Sequence, residues 1–189
     1  MRVYVIRHGQ SVNNLAQKWT GWMDVPLTEK GKQDAKNAGA LIAHVKFDRI
    51  YASDLQRARQ TAETAIPGCA YETSALLREV NIGTLAGRPA SFLNEAQRAR
   101  VSKEGYVEFG GESSEEFRGR VQTFMRQLED EPCETVAVFA HAGVLRNMLN
   151  AVLDVQLSGR HVYCDNCAVA IFEYTENNWR LHSWINFPL

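Results

Sequence analysis

The sequence predicts an α/β fold, a three-layer α/β/α sandwich around a mostly parallel central sheet with a small inserted cap. Three observations predict it. Two short apolar runs, Val3-Tyr4-Val5-Ile6 and Thr135-Val136-Ala137-Val138-Phe139, have the continuous β-prone character of strands covered on both faces. Each run stops at a histidine close to a glycine, Arg7-His8-Gly9 and His141-Ala142-Gly143, and gives way to a helical pattern, so the chain repeats a strand, His, Gly, helix unit. Between the two units, apolar residues recur at helical spacing over stretches long enough for crossover helices.

The elements follow in order. After the first strand, Gly9 supplies the freedom to turn sharply. Ser11 to Lys18 begins a helix, and Trp19 to Pro26 is a loop whose two tryptophans read as packing residues. Thr28 caps the next helix, with Ala35, Ala38, Ile42 and Val45 as its apolar stripe. Phe47 to Ala52 is a second strand ending at Ser53. Ser53 with Gln56 makes a capping-box pattern for a helix whose core face is Leu55, Ala58, Ala62, Ala65 and Ile66, with Arg57 off that stripe in the first turn. Pro67 and Gly68 close it, and Cys69 to Thr73 is a short extended segment.

From 86 to 111 the periodicity is weakest, broken by Gly87, Arg88 and Pro89 and ended by Gly110-Gly111. This is the expected cap, within a single domain spanning 1–189, and Arg88, Phe92, Arg98, Arg100, Tyr106 and Phe109 are its candidates for a pocket wall. Ser113 with Glu116 opens a helix that buries Phe117, Val121, Phe124 and Leu128, and Pro132 ends it. The second histidine unit continues into a helix with Val144, Leu145, Met148, Leu149 and Val152. Cys167 to Tyr174 and Trp179 to Trp184 then flank Glu176-Asn177-Asn178 as a hairpin.

Composition limits the function. At 189 residues the chain holds one domain with a substantial core. Lys plus Arg total 21 and Asp plus Glu 22, so no charge excess advertises a nucleic acid or an anionic membrane, and any anion site has to be local. No apolar run approaches the roughly 20 residues of a membrane span, and the chain opens directly on a strand; the expectation is a cytoplasmic protein with neither nucleic acid nor membrane as partner. Cys69, Cys133, Cys164 and Cys167 are too few and too irregular for a disulfide scaffold. Cys164-Asp165-Asn166-Cys167 has C-x-x-C spacing without a following helix or a second pair, so ordinary thiols are expected. The apolar end, Trp184 to Leu189, suits core, a tail over the pocket or a dimer contact, and sets no oligomeric state.

Parallel strands joined by right-handed crossovers share their carboxyl ends, which is where open α/β sheets bind ligands. Arg7, His8, Arg57, Glu79 and His141 therefore belong on one rim: several cations or potential cations and one carboxylate. Guanidinium forks match phosphate oxygens, and the helices after His8, Ser53 and His141 add N–H groups at their first turns. The set suits a tetrahedral dianion. Phosphate monoester hydrolysis is among the slowest reactions in water, so such a site has to neutralise charge and supply a nucleophile. A neutral imidazole serves when its other nitrogen donates to a fixed acceptor, and a carboxylate protonates the leaving oxygen and then takes a proton from the attacking water. Two arginines would repel a divalent cation, and metal, P-loop and dinucleotide motifs are absent, so no metal and no cofactor are expected. His44, His161 and His182 read as structural.

These residues resemble the histidine phosphatase superfamily, which includes the cofactor-dependent phosphoglycerate mutases. Val5-Ile6-Arg7-His8-Gly9-Gln10-Ser11, with Asn14 in phase, is similar to the family's signature. Tyr51-Ala52-Ser53-Asp54-Leu55 through Arg57-Ala58 to Gln60-Thr61-Ala62 is similar to its second block. Leu77-Arg78-Glu79, Gly110-Gly111-Glu112-Ser113 and Ala140-His141-Ala142-Gly143 follow in the family's order. The resemblance implies an α/β/α sandwich and a phosphohistidine at His8 formed without metal. It implies that Arg7, Arg57 and His141 clamp the phosphoryl group, that Asn14 assists and that Glu79 gives and takes the proton. Thr20 and Gly21 resemble a substrate-contacting pair of the mutases, with Trp22, Asp24 and Leu27 reinforcing the similarity.

Mutase and phosphatase differ in whether the phosphoryl group returns to a substrate hydroxyl or goes to water. Val80 to Gly87 lacks the Tyr and following Lys that resemblance to a glycolytic mutase would require, and the adjacent arginines of a mutase lid are missing. The expectation is a phosphatase acting on a small phosphomonoester, ahead of a mutase and of a non-catalytic phosphate-binding module. The last would lose the nucleophile or the carboxylate, and both His8 and Glu79 are present.

Overall fold

The computed structural model describes residues 1–157 and 161–186. Among them six strands form: β1 (Arg2–Arg7), β2 (Arg49–Ser53), β3 (Glu72–Ser74), β4 (Thr135–Ala140), β5 (Val169–Thr175) and β6 (Asn178–Ile185). The helices are α1 (Val12–Leu15), α2 (Glu29–Ile42), α3 (Gln56–Ala65), α4 (Glu95–Glu104), α5 (Ser114–Glu129) and α6 (Ala142–Leu153). The strands pair in one sheet in the order β3-β2-β4-β1-β5-β6. The first three pairings in that order are parallel, and the last two, which form the β5–β6 hairpin edge, are antiparallel.

Each apolar run is continuous because helices cover both faces of the sheet. Val3, Val5, Val136 and Val138 pack with Phe124 and Leu128 of α5 and Leu145 and Met148 of α6. Their alternate neighbours Tyr4, Ile6, Ala137 and Phe139 pack with Ile42 of α2 and Ala62 of α3. The period of two along a strand delivers successive side chains to opposite helical layers. β1 and β4 are in register from Arg2 beside Thr135 to Arg7 beside Ala140, so both histidine turns leave the sheet at the same edge.

Several local expectations change. The helix starting near Ser11 lasts only four residues: Ser11 and Asn14 form a capping box at its start, and Gln17 breaks it with a left-handed φ of 53°. α2 ends at Ile42, leaving Val45 beyond the helix though still packed on the same layer. The Ser53–Gln56 capping box does not form. Leu55 is the N-cap residue and makes no side-chain cap, the Gln56 N–H donates to Asp24 at 2.6 Å, and the Ser53 hydroxyl is bonded to His141.

Segment 86–111 carries α4, which buries no side chain among its described residues, and is anchored by a separate small cluster of Leu93, Ile82, Leu85, Val101 and Tyr106. The chain end is tied down by the Trp184 indole and the Asn186 amide, both donating to the Tyr163 carbonyl; Phe187, Pro188 and Leu189 lie outside the described residues. Among the described residues no helix is long and apolar enough to cross a membrane.

The start of α2 braces the turn after His8. The Thr28 hydroxyl accepts from the Gly31 N–H at 3.0 Å and the Thr28 N–H donates to the Gln10 carbonyl at 2.9 Å. A Cβ on Gly31 would overlap that Gln10 carbonyl, a backbone atom with no freedom to move aside. Gly31→Ala is therefore expected to lower the unfolding free energy by about 1–3 kcal/mol, read from urea denaturation midpoints. An unchanged midpoint would show that the helix does not abut the turn.

Candidate active site

The edge of β1 and β4 gathers the histidines. His8 and His141 sit with ring centroids 5.1 Å apart, and His8, His141 and Arg57 are 5%, 0% and 1% exposed. Their hydrogen bonds define the protonation of His8. Nδ1 lies 2.7 Å from the Gly9 carbonyl, which can only accept, so Nδ1 carries the proton. Nε2 lies 3.3 Å from Nε of Arg57, which can only donate, so Nε2 presents a lone pair. Burial, then the charges of Arg57 and Arg7, hold the His8 pKa well below its ordinary value. The imidazole is neutral in one tautomer.

Carbonyl groups hold the arginines. Arg57 donates to the carbonyls of Gly21 at 2.8 Å and Met23 at 3.0 Å, and burial brings its pKa down to about 10, still a cation at neutral pH. Arg7 donates to the Cys164 carbonyl, while its buried Nε has no partner among the described residues. Thr61 links the first two blocks, donating to the Arg57 carbonyl at 2.7 Å and accepting from the Gly9 N–H at 3.0 Å.

His141 faces Ser53, with Nε2 2.9 Å from the hydroxyl oxygen, and its buried Nδ1 has no partner among the described residues. Burial, then Arg57, pushes its pKa well below the ordinary value. Glu79 comes from the loop after β3. Its carboxylate accepts from the N–H of Val80 at 2.9 Å and of Gly143, in the first turn of α6, at 3.2 Å; a Cβ at 143 would overlap that carboxylate. The Glu79 carbonyl accepts from the Trp22 indole and from Arg120, which also pairs with Glu112.

Beside these groups lies a cavity of about 400 Å³, which the fully buried His141 adjoins through the His8 ring without lining it. Arg7, His8, Asn14, Thr20, Gly21, Arg57 and Glu79 all reach it. Asn14 is oriented by Ser11 and by the Asn166 amide, which also donates to the His8 carbonyl. Segment 86–111 contributes Val101, Ser102, Gly105 and Tyr106 to the wall. The other expected contributors turn elsewhere: Arg88 stacks on Phe92, Arg98 donates to the Leu93 carbonyl and Arg100 pairs with Glu108. Among the described residues no group of three His, Cys, Asp or Glu side chains could hold a metal ion.

Residues 3–186 match the family profile of the histidine phosphatase superfamily, branch 1. The chain belongs to that superfamily. Among its relatives, the "Probable phosphoglycerate mutase GpmB" of Salmonella paratyphi A is 27% identical over 195 residues, covering 98% of this chain and 90% of the relative. The solved phosphoglycerate mutase of Thermus thermophilus is 27% identical, superposes with a TM-score of 0.76 and covers 100% of both chains. A structure described as a "putative alpha-ribazole-5'-P phosphatase" from Escherichia coli shares the fold at a TM-score of 0.88 and 24% identity, over 98% of this chain and 96% of that one.

As a histidine phosphatase superfamily member, the chain places supporting residues that the sequence reading passed over. Ser53 reads as a helix cap and Asn166 as filler in a C-x-x-C spacing, yet both touch the histidine blocks. Arg146 carries a sequence signal, since it follows Gly143 by three residues on a helix and shares its face. Burial lifts the Cys164 and Cys167 thiols to about 11 and about 12, as fits ordinary core thiols. His44 and His182 are exposed away from the cavity, and His161 lines a neighbouring one.

The buried histidines make stability depend on pH. Both folded pKa values lie below the unfolded one, so the unfolded chain binds protons the folded chain refuses once pH drops below about 6.5. Stability is complete above that pH and declines as acid approaches the folded values, by about 1.4 kcal/mol per pH unit for each histidine. Urea titrations between pH 7.5 and 5 are expected to show this decline, and His141→Gln to remove about half of it. A variant with the wild-type slope would contradict the assignment of a buried neutral imidazole.

Proposed function

We propose that the protein hydrolyses small phosphomonoesters through a phosphohistidine at His8, without a metal ion. The observation that carries this reading is the fixed tautomer of His8, with Nδ1–H committed to Gly9 and the Nε2 lone pair facing Arg57. A phosphate held by Arg7 and Arg57 meets that lone pair. Nε2 bonds to phosphorus as the ester P–O bond breaks, and the leaving oxygen takes the proton of the Glu79 carboxyl group, releasing the alcohol. The Glu79 carboxylate then takes a proton from water. The water oxygen bonds to phosphorus, the P–N bond breaks, its electron pair returns to Nε2, and inorganic phosphate leaves.

Arg7, Arg57, Asn14 and His141 hold the non-bridging oxygens through this sequence. Ser53 accepts from the Leu55 N–H and so has its own proton free for Nε2 of His141, which leaves Nδ1–H of that ring to donate to the phosphoryl group. Gly21 acts through its carbonyl on Arg57, and Thr20 lines the cavity. The crowded guanidiniums disfavour a divalent cation in the same space. In this reading the chain is one domain capped by 86–111, working on a small molecule in the cytoplasm.

Hydrolysis is preferred to mutase chemistry because the arginines of 86–111 are committed to partners of their own and none of them reaches the cavity wall. The names of the Salmonella and Thermus relatives support the mutase alternative.

Phosphate release from a panel of monoesters in excess EDTA, with interconversion of 2- and 3-phosphoglycerate followed beside it in the presence of the bisphosphate primer, separates the two. Release is expected to survive EDTA and to fall at least about a thousandfold in His8→Ala. Rapid interconversion with little free phosphate would make the protein a mutase. Gly143→Ala, which displaces the Glu79 carboxylate, is expected to lower kcat by about 10- to 100-fold while the fold survives; wild-type turnover would remove Glu79 from the proton path.

A further inference from the structure

The Gly110-Gly111-Glu112-Ser113 block stays off the cavity wall, yet its Glu112 meets Arg120 of α5 against the loop that carries Glu79. Residues 78–82 of that loop lie between two short 3₁₀ turns, Ala75–Leu77 and Gly83–Leu85, and belong to no helix or strand. The backbone groups of such a stretch need partners from elsewhere. Arg120 supplies them. A guanidinium has five N–H groups, and here all five are used. Nη1 donates to the carbonyls of Leu76 at 2.9 Å and Arg78 at 2.6 Å, and Nη2 donates to the Glu79 carbonyl at 2.8 Å. Nε and Nη2 donate to the two carboxylate oxygens of Glu112 at 2.7 and 2.9 Å.

Glu112 holds the chain on the other side of Glu79. Its Oε2 accepts from the Asn81 N–H at 2.7 Å, and its own N–H donates to the Asn81 carbonyl at 2.9 Å. A Cβ on Gly111 would overlap that carbonyl, which accounts for the second glycine of the block. The side chains of Arg120 and Glu112 are only 13% and 14% exposed, and desolvation offsets much of the attraction in such a pair, so that an apolar pair of the same volume commonly serves stability as well. An apolar pair could not fix the backbone at residues 76, 78, 79 and 81. α5 is a firm base for that task, since Phe117, Val121, Phe124 and Leu128 bury it in the core and the Arg120 guanidinium stacks 4.5 Å from the Phe117 ring centroid.

We propose that Arg120, locked by Glu112, is a positioning residue for proton transfer: it sets the main chain of Glu79 so that the carboxyl group meets the ester oxygen at the His8 end of the cavity. The inference rests on the phosphohydrolase reading and adds the residues that aim its acid. Arg120 does not line the cavity and so acts through Glu79. Displacing a proton-transfer group by about 1 Å is enough to cost about a hundredfold in rate.

The test compares phenyl phosphate, whose leaving oxygen needs a proton, with 2,4-dinitrophenyl phosphate, whose leaving group departs as the anion. Arg120→Lys keeps the charge and loses the planar fork. In this variant kcat/KM is expected to fall about 100-fold for phenyl phosphate and to stay within about threefold of wild type for the dinitrophenyl ester. Removal of the phosphoryl group from His8, in which Glu79 takes a proton from water, then limits turnover, so dinitrophenolate is expected to appear in a burst of about one per chain. Glu112→Gln is expected to show the same split at about tenfold, and it carries the comparison if Arg120→Lys does not fold. A fall common to both esters, as a general loss of structure gives, overturns this inference, and so do unchanged rates on both. Glu79→Gln is the reference and is expected to split the esters in the same way. Absence of that split, or a wild type that releases phosphate from neither ester, overturns the phosphohydrolase reading itself.

Discussion

Everything at this site depends on keeping His8 neutral with Nε2 bare. Two hydrogen bonds of opposite polarity do this: an acceptor that cannot donate at Nδ1, and a donor that cannot accept at Nε2. The bond at Nδ1 alone fixes the neutral tautomer but would still admit a second proton at Nε2, and the donor at Nε2 opposes that proton. Together with the nearby guanidinium charge they leave one protonation state available. The geometry is inherited from the sheet. Parallel pairing of β1 with β4 sets Arg7 beside Ala140, the His8 N–H donates to the Ala140 carbonyl, and each following histidine is delivered at the same level.

The cations are held in a way that keeps their charge available. Arg57 and Arg7 are fixed by carbonyl oxygens of Gly21, Met23 and Cys164. Carbonyl dipoles orient a guanidinium without cancelling its charge. Elsewhere the same residue type is neutralised: Arg78 forks onto Asp54, and Arg120 onto Glu112, and those pairs fasten the loop that carries Glu79. The fold thus separates arginines neutralised by carboxylates from arginines whose charge is left uncompensated. The separation has an energetic cost, visible in the orphaned Nε of Arg7 and in the lowered pKa of Arg57, which bound phosphate would offset.

What the sequence made legible follows from how local each cause is. The two buried strands, the Thr28 and Ser113 caps and the Glu176-Asn177 turn are decided by neighbours in the chain, and they form as read. Ser53 does not, because its hydroxyl has two competing uses and the better partner, His141, arrives from 88 residues away. The same holds for Asp24, which takes over the start of α3 from a distant loop. Within 86–111, Arg88, Arg98 and Arg100 find nearby acceptors or rings, a choice set by side-chain geometry that periodicity does not encode. Motif spacing could list the residues of the rim, but only the tertiary contacts say which atoms of each are spent.

α6 positions several polar groups of the site at once. Its N-cap residue is His141, its first turn supplies the N–H that holds Glu79, and Arg146 stands three residues on, about 4.5 Å farther along the axis. Ala142, Val144, Leu145, Met148 and Leu149 bury the opposite side of the helix, so it cannot slide or rotate without breaking the core. The Glu79 carboxylate, His141 and Arg146 are therefore spaced by one rigid ruler. Segment 86–111, whose helix buries no side chain among its described residues, closes the cavity from the other side with Val101, Ser102 and Tyr106. Changes in that segment can reshape the wall while the spacing of side chains along α6 stays constant.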